Sequence, residues 1–248
     1  MTGFAVSSTV FELAGSRRLC RRPLGRVVVA LVGVFLGLAV ALSMPTVAHA
    51  NPEIVAAIRE ALTLAVERSI ATVGRPDGFN GNPAIRLSVP EQLGKVESRL
   101  RQVGQERIVD RFEATLNYAA EYAAPAARPV LLGAIAELPL DDGRRVLAAG
   151  ETAATDVLRR YSLARVIGAL NPAVAQATDR VGTARRYKRF MKDAQFGGLV
   201  QVPTIDLDAY VVGRTIDGIF HTIGQEERRI RIDPSARPTP LLREVFGR

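Results

Sequence analysis

Residues 51–74 read NPEIVAAIREALTLAVERSIATVG, and this stretch decides the fold class. Asn51, Pro52 and Glu53 supply an N-cap, a first-turn proline and a first-turn acid, which together suit a helix start with its orphan N–H groups and positive dipole end. Val55, Ile58, Leu62, Val66, Ile70 and Val73 then recur at three- and four-residue steps and so line one face of a helix. Gly74 supplies the stop. A helix with one apolar face must bury it against other elements, and the rest of the chain says which kind.

Downstream, Arg75-Pro76-Asp77-Gly78 is a turn signature in which proline presets φ and glycine supplies a left-handed position. Beyond it, Ile85-Arg86-Leu87-Ser88-Val89 alternates apolar and polar residues, the pattern of one short strand. Pro90 opens a helix carrying Leu93, Val96, Leu100 and Val103, ended by Gly104. Ile108, Phe112, Leu116 and Ala119 mark the next, up to Pro125, and Leu131, Ala134, Ile135 and Leu138 another, up to Pro139. Asp141 or Asp142 caps a brief helix that stops at Gly150. Residues 151–160 and 162–181 read as two helices, the second kinked at Pro172, and Thr183 caps a basic helix running to Gln195. Leu199 to Ile205 is a second extended stretch. From Asp206 a long helix carries Val212, Ile216, Ile219, Phe220 and Ile223, and a short tail helix opening at Thr239-Pro240 docks its apolar side on the core. The expectation is an all-α, bundle-like single domain over residues 51–248, with eight to ten short helices. The two extended stretches are free to pair as one very short two-stranded element.

Upstream, Val27 to Leu42 is a run of sixteen uncharged residues preceded by arginines and followed by Pro45 and Ala48-His49-Ala50. It is shorter than the about 20 residues of a membrane span. The small-x-small triplet is what a signal peptidase accepts, so residues 1–50 read as a signal peptide cleaved after Ala50, an uncleaved N-terminal anchor being the alternative. The expected location is the periplasm, without a stable span after cleavage. Ser16-Arg17-Arg18 leaves twin-arginine export open beside the general route.

The leader holds five arginines and one glutamate, half of the formal net charge of +8. The 198 residues after it carry 28 basic and 24 acidic side chains, a net of +4. Its densest basic run, Arg185-Arg186-Tyr187-Lys188-Arg189-Phe190, reads as a solvated helix face, and nucleic acid is not an expected partner. Cys20 precedes the apolar run, so the mature chain has no thiol. That removes thiol catalysis, zinc–cysteine sites and iron–sulfur clusters.

Gly74-Arg75-Pro76-Asp77-Gly78-Phe79 with Asn82-Pro83-Ala84-Ile85-Arg86 resembles the opening signature of the bacterial domain-of-unknown-function family 4197. Gln176-Ala177-Thr178-Asp179-Arg180-Val181-Gly182 resembles its central motif. Asp208-Ala209-Tyr210-Val211, Ile216-Asp217-Gly218-Ile219-Phe220 and the closing Leu241-Leu242-Arg243-Glu244-Val245-Phe246-Gly247 resemble its C-terminal ones. The likeness covers about residues 55–247 and implies an exported helical protein with no activity to carry over. Where the family often has Tyr-Tyr-Asn after the central motif, this chain has Arg186-Tyr187-Lys188.

No catalytic constellation stands out. His221 is the one histidine beyond the leader, and it reads as structural rather than as a proton-shuttling base. Asp77 to Asn82 lacks the alternating oxygen ligands of a calcium loop. Neither a metal nor a cofactor is expected. Asp217 sits among Ile216 and Phe220 and is expected to be partly buried, with Arg86 as its candidate partner. Gly213, Gly218 and Gly224 lie inside a helix, where each costs about 1 kcal/mol against alanine, so close helix approach should offset them. Arg86, Asp179, Tyr210 and Asp217 form the candidate ligand-binding set. The leading expectation is a non-catalytic envelope protein binding another envelope protein or a small apolar ligand. A hydrolase using acids near Asp179 and Asp217, and a carrier of lipid or another hydrophobe, are the alternatives.

Overall fold

The computed structural model describes residues 51–141, 143–195 and 205–247. The leader, the alternative cap Asp142 and residues 199–204 of the second extended stretch lie outside the described residues. The described residues belong to one unit.

The described residues form nine α-helices and no strand. They are α1 (Pro52–Val73), α2 (Gly94–Gln102), α3 (Glu106–Ala123), α4 (Ala127–Glu137), α5 (Gly143–Ala148), α6 (Ala153–Val181), α7 (Thr183–Gln195), α8 (Leu207–Ile232) and α9 (Pro240–Phe246). The 22-residue α1 starts as its sequence requires, with the Glu53 N–H donating to Asn51 Oδ1 at 3.1 Å and Pro52 in the first turn. Ile58, Leu62, Val66, Ile70 and Val73 are all buried. The apolar faces of α1, α3, α4, α6 and α8 meet in one core. The tail helix docks as expected: Leu242 is buried with Ala61 and Ile230 in a small satellite cluster.

Four local expectations need correction. Residues 151–181 do not make two helices. One 29-residue helix begins at Ala153 and runs through Ser162, whose buried hydroxyl donates to the Leu158 carbonyl at 2.7 Å and needs no break in the chain to find a partner. In the Arg75–Gly78 turn the left-handed residue is Asp77, with φ of 60°, and not Gly78. Gly78 is required for space instead, because a Cβ there would overlap the carbonyls of Thr72 and Val73. Thr183 does not cap α7 with its side chain; it is the first helical residue, and its hydroxyl is buried without a partner.

The fourth concerns Ile85 to Val89. Its alternation is real, since Ile85, Leu87 and Val89 are buried while Arg86 and Ser88 are exposed. The backbone partner is a helix rather than a strand. Glu113, Asn117 and Glu121 stand one turn apart on α3 and face residues 79–89. The Leu87 N–H donates to Asn117 Oδ1 at 2.8 Å, and Asn117 Nδ2 donates back to the Leu87 carbonyl at 2.7 Å. The Val89 N–H donates to Glu113 Oε1, and the N–H groups of Phe79 and Asn80 both donate to Glu121 Oε1. A buried extended segment must have its polar groups satisfied, and a row of side chains does here what a neighbouring strand would.

Candidate binding groove

The same segment places two of the four candidate residues. Arg86 pairs with Glu113 at 3.1 Å, not with Asp217. The Tyr210 hydroxyl, from the first turn of α8, donates to the Ser88 carbonyl at 2.9 Å. Burial pushes the Tyr210 phenol up from the usual tyrosine range, with the Ser88 bond and the charge of Arg214 pulling the other way. Arg86 and Tyr210 therefore both hold residues 86–89 in place.

Asp217 lies two helical turns further along α8, about 10 Å from Tyr210 along the helix axis. It is exposed, contrary to expectation, because the apolar residues beside it in sequence turn inward to the core. One of its oxygens accepts from Arg159 of α6, and the other is 4.0 Å from Arg214. The Arg159 guanidinium also sits 5.5 Å above the Phe220 ring. Asp179 is in the last turn of α6, twenty residues beyond Arg159 and so about 30 Å away along the helix. Asp179 and Asp217 do not converge, and no shared-proton or cation-bridging arrangement joins them.

What the geometry does assemble around Asp217 is a groove between α6 and α8. It is open to solvent, encloses about 630 Å³, and is walled by Thr155, Arg159, Arg214, Asp217, His221 and Gln225. His221, the one histidine after the leader, is exposed there four residues beyond Asp217. Two glycines of α8 set the groove's frame. Gly224 lets the start of α6 come close, a Cβ there falling 3.3 Å from Thr152 Cγ2. Gly218 lies on the inner side, where any Cβ would overlap the Phe79 ring, whereas Gly213 faces open space.

The least foreseeable residue of this region is Glu227. It is 1 % exposed and accepts from the N–H groups of Ala154 (3.1 Å) and Thr155 (2.7 Å) and from the Thr155 hydroxyl (2.6 Å). Arg231 balances its charge at 2.7 Å. Thr152, the N-cap residue of α6, makes no capping bond with its own side chain, so α8 caps α6. In sequence, Glu226-Glu227 reads as plain surface charge; the only hint was an α6 start with no capping box.

Among the described residues no group of three or more His, Cys, Asp or Glu side chains is placed to hold a metal ion. None of the described helices is long and apolar enough to cross a membrane. The class is thus an all-α domain whose polar hollows are surface grooves between long helices. The model of a family of proteins of unknown function, DUF4197, matches residues 48–247, and the chain belongs to that family. Comparison with curated proteins and with solved structures finds no match.

Proposed function

We propose that this chain is an exported, non-catalytic binding protein of the cell envelope, and that the α6–α8 groove receives a protein partner. The observation that carries the reading is the state of Asp217, whose oxygens both face arginines at the mouth of an open, charged groove. A carboxylate so occupied serves shape and charge recognition better than proton transfer. An open groove walled by arginines, aspartate and histidine suits a polar protein surface better than a lipid tail, which needs an enclosed apolar cavity. Export is supported by the arginine-led apolar run and by Ala48-His49-Ala50, and the family match begins at residue 48, within three residues of the expected cleavage after Ala50.

Two measurements test this. N-terminal sequencing of protein from the periplasmic fraction should start at Asn51; material keeping Met1 would overturn export. A photocrosslinker at His221 should give one discrete protein adduct in cells, abolished by Arg159→Glu, while the same probe at exposed Ala71 on α1 should not. No adduct from position 221, or native protein carrying bound lipid by mass spectrometry, would overturn the partner reading.

A further inference from the structure

A second hollow, of about 460 Å³, lies where α6 turns into α7 against α3. Its floor is apolar, with Phe112 and Val181, and its rim carries Arg111, Arg185, Arg186 and Arg189. No carboxylate lines it, and Arg111, Arg185 and Arg186 form no ion pair with any described residue. Other arginines of the chain do pair with carboxylates: Arg101 with Glu97, Arg128 with Glu67, Arg165 with Glu137 and Arg228 with Glu151. The like charges of Arg111, Arg185 and Arg186 repel one another, and the arrangement is relieved when an anion sits among them.

An aromatic stack joins the two sides of the rim. Phe112 of α3 stacks on Phe190 of α7 with ring centroids 4.9 Å apart, which fixes α7 to α3 and brings Arg111 opposite Arg185 and Arg186. The corner between α6 and α7 is Gly182, with φ of 69°, where glycine's freedom is needed. Its missing side chain also leaves room for Arg185, whose Nη2 would stand 3.2 Å from a Cβ there.

We propose that this hollow binds the phosphate of a phosphate monoester, carried either by a lipid headgroup or by a soluble molecule. A carboxylate brings two oxygens and one charge, whereas a phosphate monoester brings three oxygens with more charge and so engages several arginines more strongly. The apolar floor takes the carbon portion of the ester. This site is separate from the α6–α8 groove and stands or falls independently of it.

The test titrates the folded protein with glycerol 3-phosphate, with acetate, and with vesicles of phosphatidylcholine containing about one third phosphatidic acid, whose headgroup is a phosphate monoester. Glycerol 3-phosphate or the vesicles should bind, acetate at least tenfold more weakly, and Arg111→Gln/Arg185→Gln/Arg186→Gln should lose about tenfold or more, because charge-assisted fork bonds are removed. All three side chains are exposed, so the far-ultraviolet spectrum should not change. If the triple variant fails to fold, the single Arg186→Gln must show its own loss. Arg159→Gln in the other groove should bind as the parent does. Vesicle binding that glycerol 3-phosphate competes away assigns the headgroup, and binding of the soluble ester alone assigns a soluble ligand. No binding in either arm, acetate binding equally well, or unchanged binding by the arginine variants would overturn the proposal.

Discussion

Asn117 grips Leu87 by both of its backbone groups, accepting from its N–H at 2.8 Å and donating to its carbonyl at 2.7 Å. A single amide side chain on α3 thus reproduces the paired bonds of an antiparallel ladder, in a site where Asn117 and Leu87 are both 0 % exposed.

Removing that grip leaves a buried N–H and a buried carbonyl without partners. Asn117→Leu should therefore lose about 2–4 kcal/mol of stability by chemical denaturation, the cost of two orphaned backbone groups. Asn117→Asp keeps the acceptor for the Leu87 N–H but loses the donor, and should also be destabilised. A stability for Asn117→Leu equal to the parent's would show that the ladder does not hold the segment.

The packing of α1 was legible in the sequence because its apolar stripe has one period and one cap, and nothing else competes. The long α8 was legible for the same reason, with Asp206 accepting from the Ala209 N–H as its cap. The strand reading of 85–89 was half legible. Alternation correctly named the inward residues, yet a period of two says only that a segment is extended, not what pairs with it. Glu113, Asn117 and Glu121 look like a solvated stripe until the loop they serve is placed over them. The signal that was available is that an extended segment with no visible partner strand must bond to something. The site fared worse for a similar reason: Arg86 and Asp217 were matched by composition, and only the helix positions show that Glu113 and Arg159 lie nearer.

Glu227 caps α6 from another helix, so its loss should be felt at a distance in sequence. Glu227→Ala takes the counter-charge from the partly buried Arg231, leaving it the Leu147 and Val146 carbonyls, and strands the first N–H groups of α6, at a cost of about 3–5 kcal/mol. Hydrogen exchange at the Ala154 and Thr155 amides should accelerate more than in the rest of α6. Uniform protection along α6 in this variant would refute the capping role.

The glycines of α8 should separate in sign. Gly218→Ala drives a Cβ into the buried Phe79 ring and should destabilise by about 1–3 kcal/mol through overpacking. Gly213→Ala meets nothing within 4 Å and should stabilise by about 0.5–1 kcal/mol by removing backbone freedom from the unfolded chain. Thermal unfolding of the two variants should bracket the parent; a stabilised Gly218→Ala would contradict the close contact.

Tyr210 gives the pH dependence. Burial holds its phenol above the ordinary tyrosine value, while the unfolded chain ionises near pH 10. The unfolded state therefore loses this proton first as the solution turns alkaline. The stability that Tyr210 contributes is complete below about pH 10 and drains away as pH rises through the folded-state value. In Tyr210→Phe that part of the alkaline loss should vanish, and the absorbance titration near 295 nm should be short of one late-ionising tyrosine. The variant should also be less stable at neutral pH, because the Ser88 carbonyl loses its donor. If the late-ionising step survives in Tyr210→Phe, it belongs to Tyr187, whose phenol burial also pushes upward, and the 86–89 clamp would have to be looser than the 2.9 Å bond implies.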